Sequence, residues 1–191
     1  CMDHEPIPEG ENIYSVVNEK VASVKPEECD VYFLPFLYGS NAHPLGKGAF
    51  VGLTTYHNKA HMLRAVYEGV VFSHKTHIER LLSSRKPPEA IRMAGGACNS
   101  EVWVQMFADV LGFPIETVDA KELGALGCGM AAAIAAGVYR DYKDAAEHMV
   151  EKTVTYEPRK EMHEKYMEIY RRYAKVYGAV RPLMETEQTA G

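Results

Sequence analysis

Apolar residues recur at three- and four-residue intervals over most of this chain, and short extended runs separate those stretches. Asn12 can cap a short helix carrying Ile13, Val16, Val17 and Val21, which ends before Pro26. From about Asn58 to Leu82, the residues Leu63, Val66, Tyr67, Val70, His74, Ile78 and Leu81 predict one long helix with a single buried stripe. A further helix buries Trp103, Met106, Phe107, Val110 and Leu111 and stops at Gly112, with Pro114 beyond it. Glycine at a helix end and proline just after are stop chemistry. Glu122 to Ala136, closed by Gly137, is a helix of small residues. Its Gly124, Gly127 and Gly129 predict very close approach to a neighbouring element. The charge-free run Leu123 to Tyr139 is slightly short for a membrane span and reads as a buried helix. Tyr166, Tyr170, Tyr173, Tyr177 and Val180 mark a terminal helix, too short for a coiled coil and read as a docking helix.

Between the helices, Val31 to Leu37 is interrupted by Pro35, so it is an edge strand or a buried loop. Tyr38 to Gly48 is a loop, and Ala49 to Leu53 is brief and extended. Ala90 to Met93 and Pro114 to Val118 are short strands. Cys1 to Gly10 forms an irregular lead-in, Thr153 to Lys160 a polar linker, and residues 185–191 a loose tail. Strand, helix, strand and helix alternate between Ala90 and Gly137, which predicts an α/β layer in a helix-rich chain. So few strands would leave an open sheet poorly supported, and the chain begins at Cys1 rather than at methionine. Both features predict a fragment.

Composition narrows the function classes. The chain has 191 residues, 47% hydrophobic and 25% charged, as in ordinary soluble globular proteins. A net charge of −5 with dispersed cations argues against nucleic acid and anionic membranes as partners. Cys1, Cys29, Cys98 and Cys128 lie far apart without a C-x-x-C pair, which predicts reduced thiols in a cytoplasmic protein. No signal peptide opens the sequence.

The chemistry concentrates at Met93-Ala94-Gly95-Gly96-Ala97-Cys98-Asn99-Ser100. An apolar run ends in two glycines and a helix follows. Glycine lets a ligand lie directly on the backbone, and a helix start offers unpaired N–H donors. Asn99 or Ser100 is suited to cap that helix. Glu101 in its first turn favours the helix dipole but repels a phosphate, so the ribose or adenine of a nucleotide is expected at the turn. On spacing alone, a tight turn that binds nothing accounts for the motif equally well. The G-x-G-x-x-G and phosphate-loop patterns are absent, which disfavours a dinucleotide-binding oxidoreductase. His57 with His61 and His74 with His77 have metal-compatible spacing, yet no acidic or cysteine partner completes either pair. His74 reads as a core histidine. No nucleophile–histidine–acid arrangement assembles from the sequence, so neither a catalytic residue nor a metal ligand is assigned.

Two longer segments carry a resemblance. Gly48-Ala49-Phe50-Val51-Gly52-Leu53, followed by His61-Met62-Leu63-Arg64-Ala65-Val66-Tyr67-Glu68, resembles the second signature of the FGGY carbohydrate kinases. The run Gly95 to Ser100, with Trp103, Gln105, Ala108-Asp109 and Gly112, resembles that family's adenosine motif. Glu122-Leu123-Gly124-Ala125-Leu126-Gly127 is similar to the helix beside it. Phe33 to Ala42 and Tyr67 to His74 are most similar to the L-xylulose/3-keto-L-gulonate kinase branch. Gly39-Ser40-Asn41-Ala42-His43 departs from the run usual in D-xylulose kinases.

The resemblance implies an actin-like, ribonuclease-H-like ATPase domain, incomplete at its N-terminus. Residues 1–184 would be the carboxy-terminal nucleotide-binding domain of a sugar kinase. It implies adenosine contacts at Gly95, Gly96, Ala97, Asn99 and Ser100. Implied cofactors are ATP and Mg2+, with the magnesium ligands, catalytic aspartate and sugar pocket on an amino-terminal domain that this chain lacks. Implied partners are a ketose, ATP, that missing domain and, as a candidate, a second copy of the chain. The fragment alone is expected to be inactive. Alternatives are a non-catalytic nucleotide- or partner-binding module, and a kinase for D-xylulose, L-ribulose or glycerol.

Overall fold

The structure, a computed structural model, describes residues 7–8, 10, 12–39, 44–118, 123–150 and 152–185. Expectations for most of the lead-in, for Ser40 to His43, for Glu122 and for the tail beyond Glu185 lie outside the described residues. Helix α1 (Ile13–Ala22) starts at Asn12, whose side chain accepts the N–H groups of Tyr14 and Ser15 at 2.9 and 3.1 Å. Strand β1 (Tyr32–Leu34) stops just before Pro35 and pairs antiparallel with β2 (Ala49–Val51), Tyr32 lying opposite Val51. Helix α2 (Lys59–Leu82) follows, capped by Asn58. Then come β3 (Ile91–Met93), α3 (Glu101–Leu111) and β4 (Ile115–Val118), with β3 parallel to β4. Helices α4 (Leu123–Ala135) and α5 (Tyr142–Met149) lead to β5 (Lys152–Tyr156), which completes a sheet of order β3-β4-β5. Helix α6 (Lys160–Glu185) ends the described chain.

Helices α2, α3 and α6 converge with β1 on one core. Leu34, Val71, Phe72, Val104, Val110 and Ile115 lie at its centre, and Tyr166, Ile169 and Tyr173 seal it from α6. The terminal helix is therefore a docking helix, as its tyrosine spacing predicts. Arg159, just ahead of it, pairs with the fully buried Asp109 on α3 at 2.6 Å. Gly69 lets α2 touch β1: a Cβ there would collide with the carbonyl oxygen of Phe33.

Four expectations change. The polar linker contains β5, because Val154, Thr155 and Tyr156 favour an extended, paired backbone and β4 has an open edge. Helix α5 lies outside the elements that the apolar periodicity predicts; Asp141 caps it by accepting the Asp144 N–H at 2.9 Å.

The buried face of α2 is also rotated from the apolar stripe. It comprises Arg64, Ala65, Tyr67, Glu68, Gly69, Val71, Phe72 and Lys75, whereas His74 and Leu81 are exposed. Charged residues take buried positions because they satisfy one another. Arg64 Nε donates to Glu68 Oε1 at 2.7 Å, and its other nitrogens donate to the carbonyls of Val21 and Val24 and to the Tyr166 hydroxyl. Lys75 meets Glu79 at 3.2 Å and lies over the Tyr170 ring.

Finally, α4 is largely exposed rather than buried, and its main neighbour is α5. A Cβ at Gly124 or Gly127 would meet nothing within 4 Å. Apolar composition marks a face that needs cover; it does not supply the neighbour. Among the described residues no helix is long and apolar enough to cross a membrane.

Candidate functional site

The turn after β3 has a defined shape. Gly95 adopts φ 97° and ψ −173°, a region open essentially to glycine, and a single 3₁₀ turn over Gly96–Asn99 follows. The Gly95 carbonyl accepts the Cys98 N–H at 3.0 Å, and the Ala97 carbonyl accepts the Ser100 N–H at 3.1 Å. Gly96 differs from Gly95. Its φ is not in the left-handed region, and a Cβ built on it would meet nothing within 4 Å. Neither backbone geometry nor internal packing demands glycine there.

Ser100 caps α3, its Oγ accepting the Trp103 N–H at 3.2 Å. The same hydroxyl donates to Asn18 Oδ1 at 2.7 Å, and the Tyr67 hydroxyl donates to that oxygen at 2.9 Å. Ser100 is 6% exposed, so its hydroxyl serves this internal chain. Burial raises the Tyr67 phenol above its ordinary value, which keeps it a protonated donor. The Tyr67 and Trp103 rings stack with centroids 4.3 Å apart, and Trp103 Nε1 donates to the Tyr67 carbonyl at 3.2 Å. These bonds tie α1, α2 and α3 together.

They surround a cavity of about 660 Å³. Of the five residues singled out from the sequence, Gly96, Asn99 and Ser100 line it; Gly95 and Ala97 shape the turn without reaching its wall. Sequence reasoning missed the rest of the lining, which includes Tyr14, Val17 and Asn18 of α1 with Tyr67 and Trp103. Tyr14 and Asn18 stand one helical turn apart, but no local pattern ties α1 to a turn some eighty residues later. A second hollow of about 500 Å³ lies between Arg92 and α5. It is lined by charges of both signs and by none of the turn residues, so the first cavity is the better ligand site.

The histidines serve structure. Thr54 N–H donates to His57 Nδ1 at 2.9 Å, and His57 Nε2 lies 2.6 Å from Asp30 Oδ1. Thr54 Oγ1 is 3.1 Å from Nδ1, which superficially places hydroxyl, imidazole and carboxylate in series. The backbone N–H already occupies the Nδ1 lone pair, so the imidazole clamps a turn and cannot act as the hydroxyl's base. His61 Nδ1 bonds the helix-capping Asn58 at 3.0 Å. His74 packs its ring against Phe107 at 5.5 Å while remaining exposed, unlike the core histidine that its position on the stripe predicts. Among the described residues no group of three or more His, Cys, Asp or Glu side chains could hold a metal ion.

Comparison with known proteins bears on this geometry. Residues 4–136 match the C-terminal domain of the FGGY family of carbohydrate kinases. The L-xylulose/3-keto-L-gulonate kinase of Escherichia coli is 38% identical over 90% of this chain and 34% of its own length. A probable L-xylulose kinase of Haemophilus influenzae is 35% identical over 89% of this chain and 34% of its own. The crystal structure of xylulose kinase from Rhodospirillum rubrum superposes with a TM-score of 0.79 at 25% identity, covering 90% of this chain and 35% of that one. The chain thus spans about a third of the length of these relatives. With the glycine turn, the capped helix behind it and the actin-like architecture shared with these kinases, this chain belongs to the FGGY family of carbohydrate kinases, as part of its C-terminal domain.

Proposed function

We propose that this chain is the ATP-binding half of a sugar kinase that transfers the γ-phosphoryl group of MgATP to a ketose, L-xylulose or a related sugar. Gly96 carries the reading. Glycine there serves no internal contact, and it leaves the backbone clear beside a cavity of about 660 Å³. That volume and its aromatic walls suit a nucleoside. The adenosine lies in that cavity against Gly96, with Asn99 at the exposed rim and Ser100 behind, while Gly95 and Ala97 hold the turn that presents them. Glu101, exposed in the first turn of α3, disfavours a phosphate at that helix start, so the phosphates extend away from it. The names borne by the Escherichia coli and Haemophilus influenzae relatives support a ketose as acceptor.

Phosphoryl transfer is catalysed by positioning and charge stabilisation, and a bound Mg2+ would neutralise the charge developing on the phosphates. The residues of this chain supply the adenosine side. We assign the magnesium ligands, the catalytic base and the sugar pocket to an amino-terminal domain, so the chain alone has no kinase activity. The separated cysteines support a cytosolic setting.

Two measurements test the reading. Isothermal titration of the chain with ADP should show saturable binding. Joined to an amino-terminal domain of the family, the chain should support ATP consumption with L-xylulose or 3-keto-L-gulonate. Turnover with none of these, nor with D-xylulose or L-ribulose, overturns the assignment of a ketose as acceptor.

A further inference from the structure

The cavity wall contributed by α1 holds one side chain whose orientation is set by its neighbours. Asn18 Oδ1 accepts two hydroxyl donors, Ser100 Oγ at 2.7 Å and Tyr67 Oη at 2.9 Å. Ser100 Oγ is itself an acceptor for the Trp103 N–H at 3.2 Å, which leaves its own hydrogen for Asn18. Two donors fill the lone-pair sites of one amide oxygen. The amide is therefore held with Nδ2 turned from the hydroxyls, and among the described residues Nδ2 has no hydrogen-bond partner. Asn18 lines the cavity together with Val17, Tyr67 and Trp103. A flat heteroaromatic ring in such a pocket meets apolar and aromatic surface on its faces and one oriented N–H donor at its edge.

We propose that Asn18 is a specificity-determining residue of this site, its Nδ2 donating a hydrogen bond to a ring nitrogen of a purine base. The proposal rests on the adenosine reading above. Ser100 and Tyr67 are then positioning residues, which act by holding the Asn18 amide in one orientation. This also explains why Ser100 is buried although it stands at the end of the glycine turn.

The test measures binding of ADP and of 1-deaza-, 3-deaza- and 7-deaza-ADP to the chain and to its Asn18→Asp variant by calorimetry. Aspartate keeps the acceptor for both hydroxyls and removes the donor. In the unaltered chain one deaza analogue should bind roughly three- to tenfold more weakly than ADP, the usual worth of one hydrogen bond. In Asn18→Asp that penalty should vanish. If all three analogues bind the unaltered chain as ADP does, or if the penalty persists in the variant, Asn18 does not read the base. If the unaltered chain binds no ADP at all, the adenosine reading itself fails. Thermal melts check that the variant folds, and Asn18→Ser is the second variant should Asn18→Asp melt early.

Discussion

Arg64 Nε donates to Glu68 Oε1 across 2.7 Å with both side chains buried, so the α2 signature segment turns an ion pair toward the core beside Ala65 and Tyr67. The same guanidinium reaches the Val21 and Val24 carbonyls at 3.1 and 2.5 Å, which fastens the end of α1. Arg64→Ala removes every one of these bonds and strands a buried carboxylate. At pH 8 we expect a loss of about 3–5 kcal/mol in urea unfolding. A loss below about 1 kcal/mol would mean that the network contributes little.

That pair also predicts a pH dependence. Burial raises the Glu68 carboxyl from 4.5 to about 7, against the opposing pull of Arg64. Between these values the folded state binds a proton that the unfolded state has released. The Glu68 contribution to stability is therefore present in full below pH 4.5 and declines as pH climbs through 7. Comparing the unaltered chain with Glu68→Gln across pH 5 to 8 isolates this slope, which should disappear in the variant. A difference between the two that stays flat with pH refutes the shift.

Gly95 and Gly96 should respond oppositely to a side chain. Gly95→Ala forces a residue into φ 97°, a cost of about 1–3 kcal/mol in stability. Gly96→Val meets no protein atom within 4 Å, so stability should change by less than about 1 kcal/mol while ADP affinity falls at least about tenfold. Unchanged ADP binding in Gly96→Val would place the base elsewhere.

Tyr173 offers a gain. Its ring is buried in the core, and its hydroxyl is buried without a hydrogen-bond partner among the described residues. An unpaired polar atom in such a place has lost its water for nothing. Tyr173→Phe should therefore leave stability unchanged or raise it by up to about 1 kcal/mol in thermal melts. A clear loss would point to a hidden partner for that hydroxyl.

The cysteines separate by environment. Burial pushes the Cys29 thiol up to about 11, with Sγ held 3.5 Å from the His61 carbonyl, whereas Cys128 is exposed on α4. Because the thiolate is the reactive form, a maleimide at pH 7 should modify Cys128 quickly and Cys29 only on unfolding. Equal rates in peptide mapping would contradict the burial of Cys29.

Much of this was legible locally. Helix starts at Asn12, Asn58 and Ser100 and the stop at Gly112 follow from side chains that bond the backbone within one turn, so neighbouring residues suffice to specify them. The glycine turn was visible for the same reason. Less visible were β5, which needs the β4 edge, and the buried face of α2. Arg64 and Glu68 look like surface residues until each is seen to neutralise the other.

The sequence by itself determined the family, the glycine turn and most helix boundaries, because motifs and caps act over a few residues. Tertiary structure alone decided which side of α2 is buried, that α4 is largely exposed among the described residues, and that α1 lines the cavity. Asn18, Tyr67 and Ser100 share one hydrogen-bond centre although 82 residues separate the first from the last. Pairing of buried polar atoms depends on who arrives in space, and no spacing along the chain encodes that.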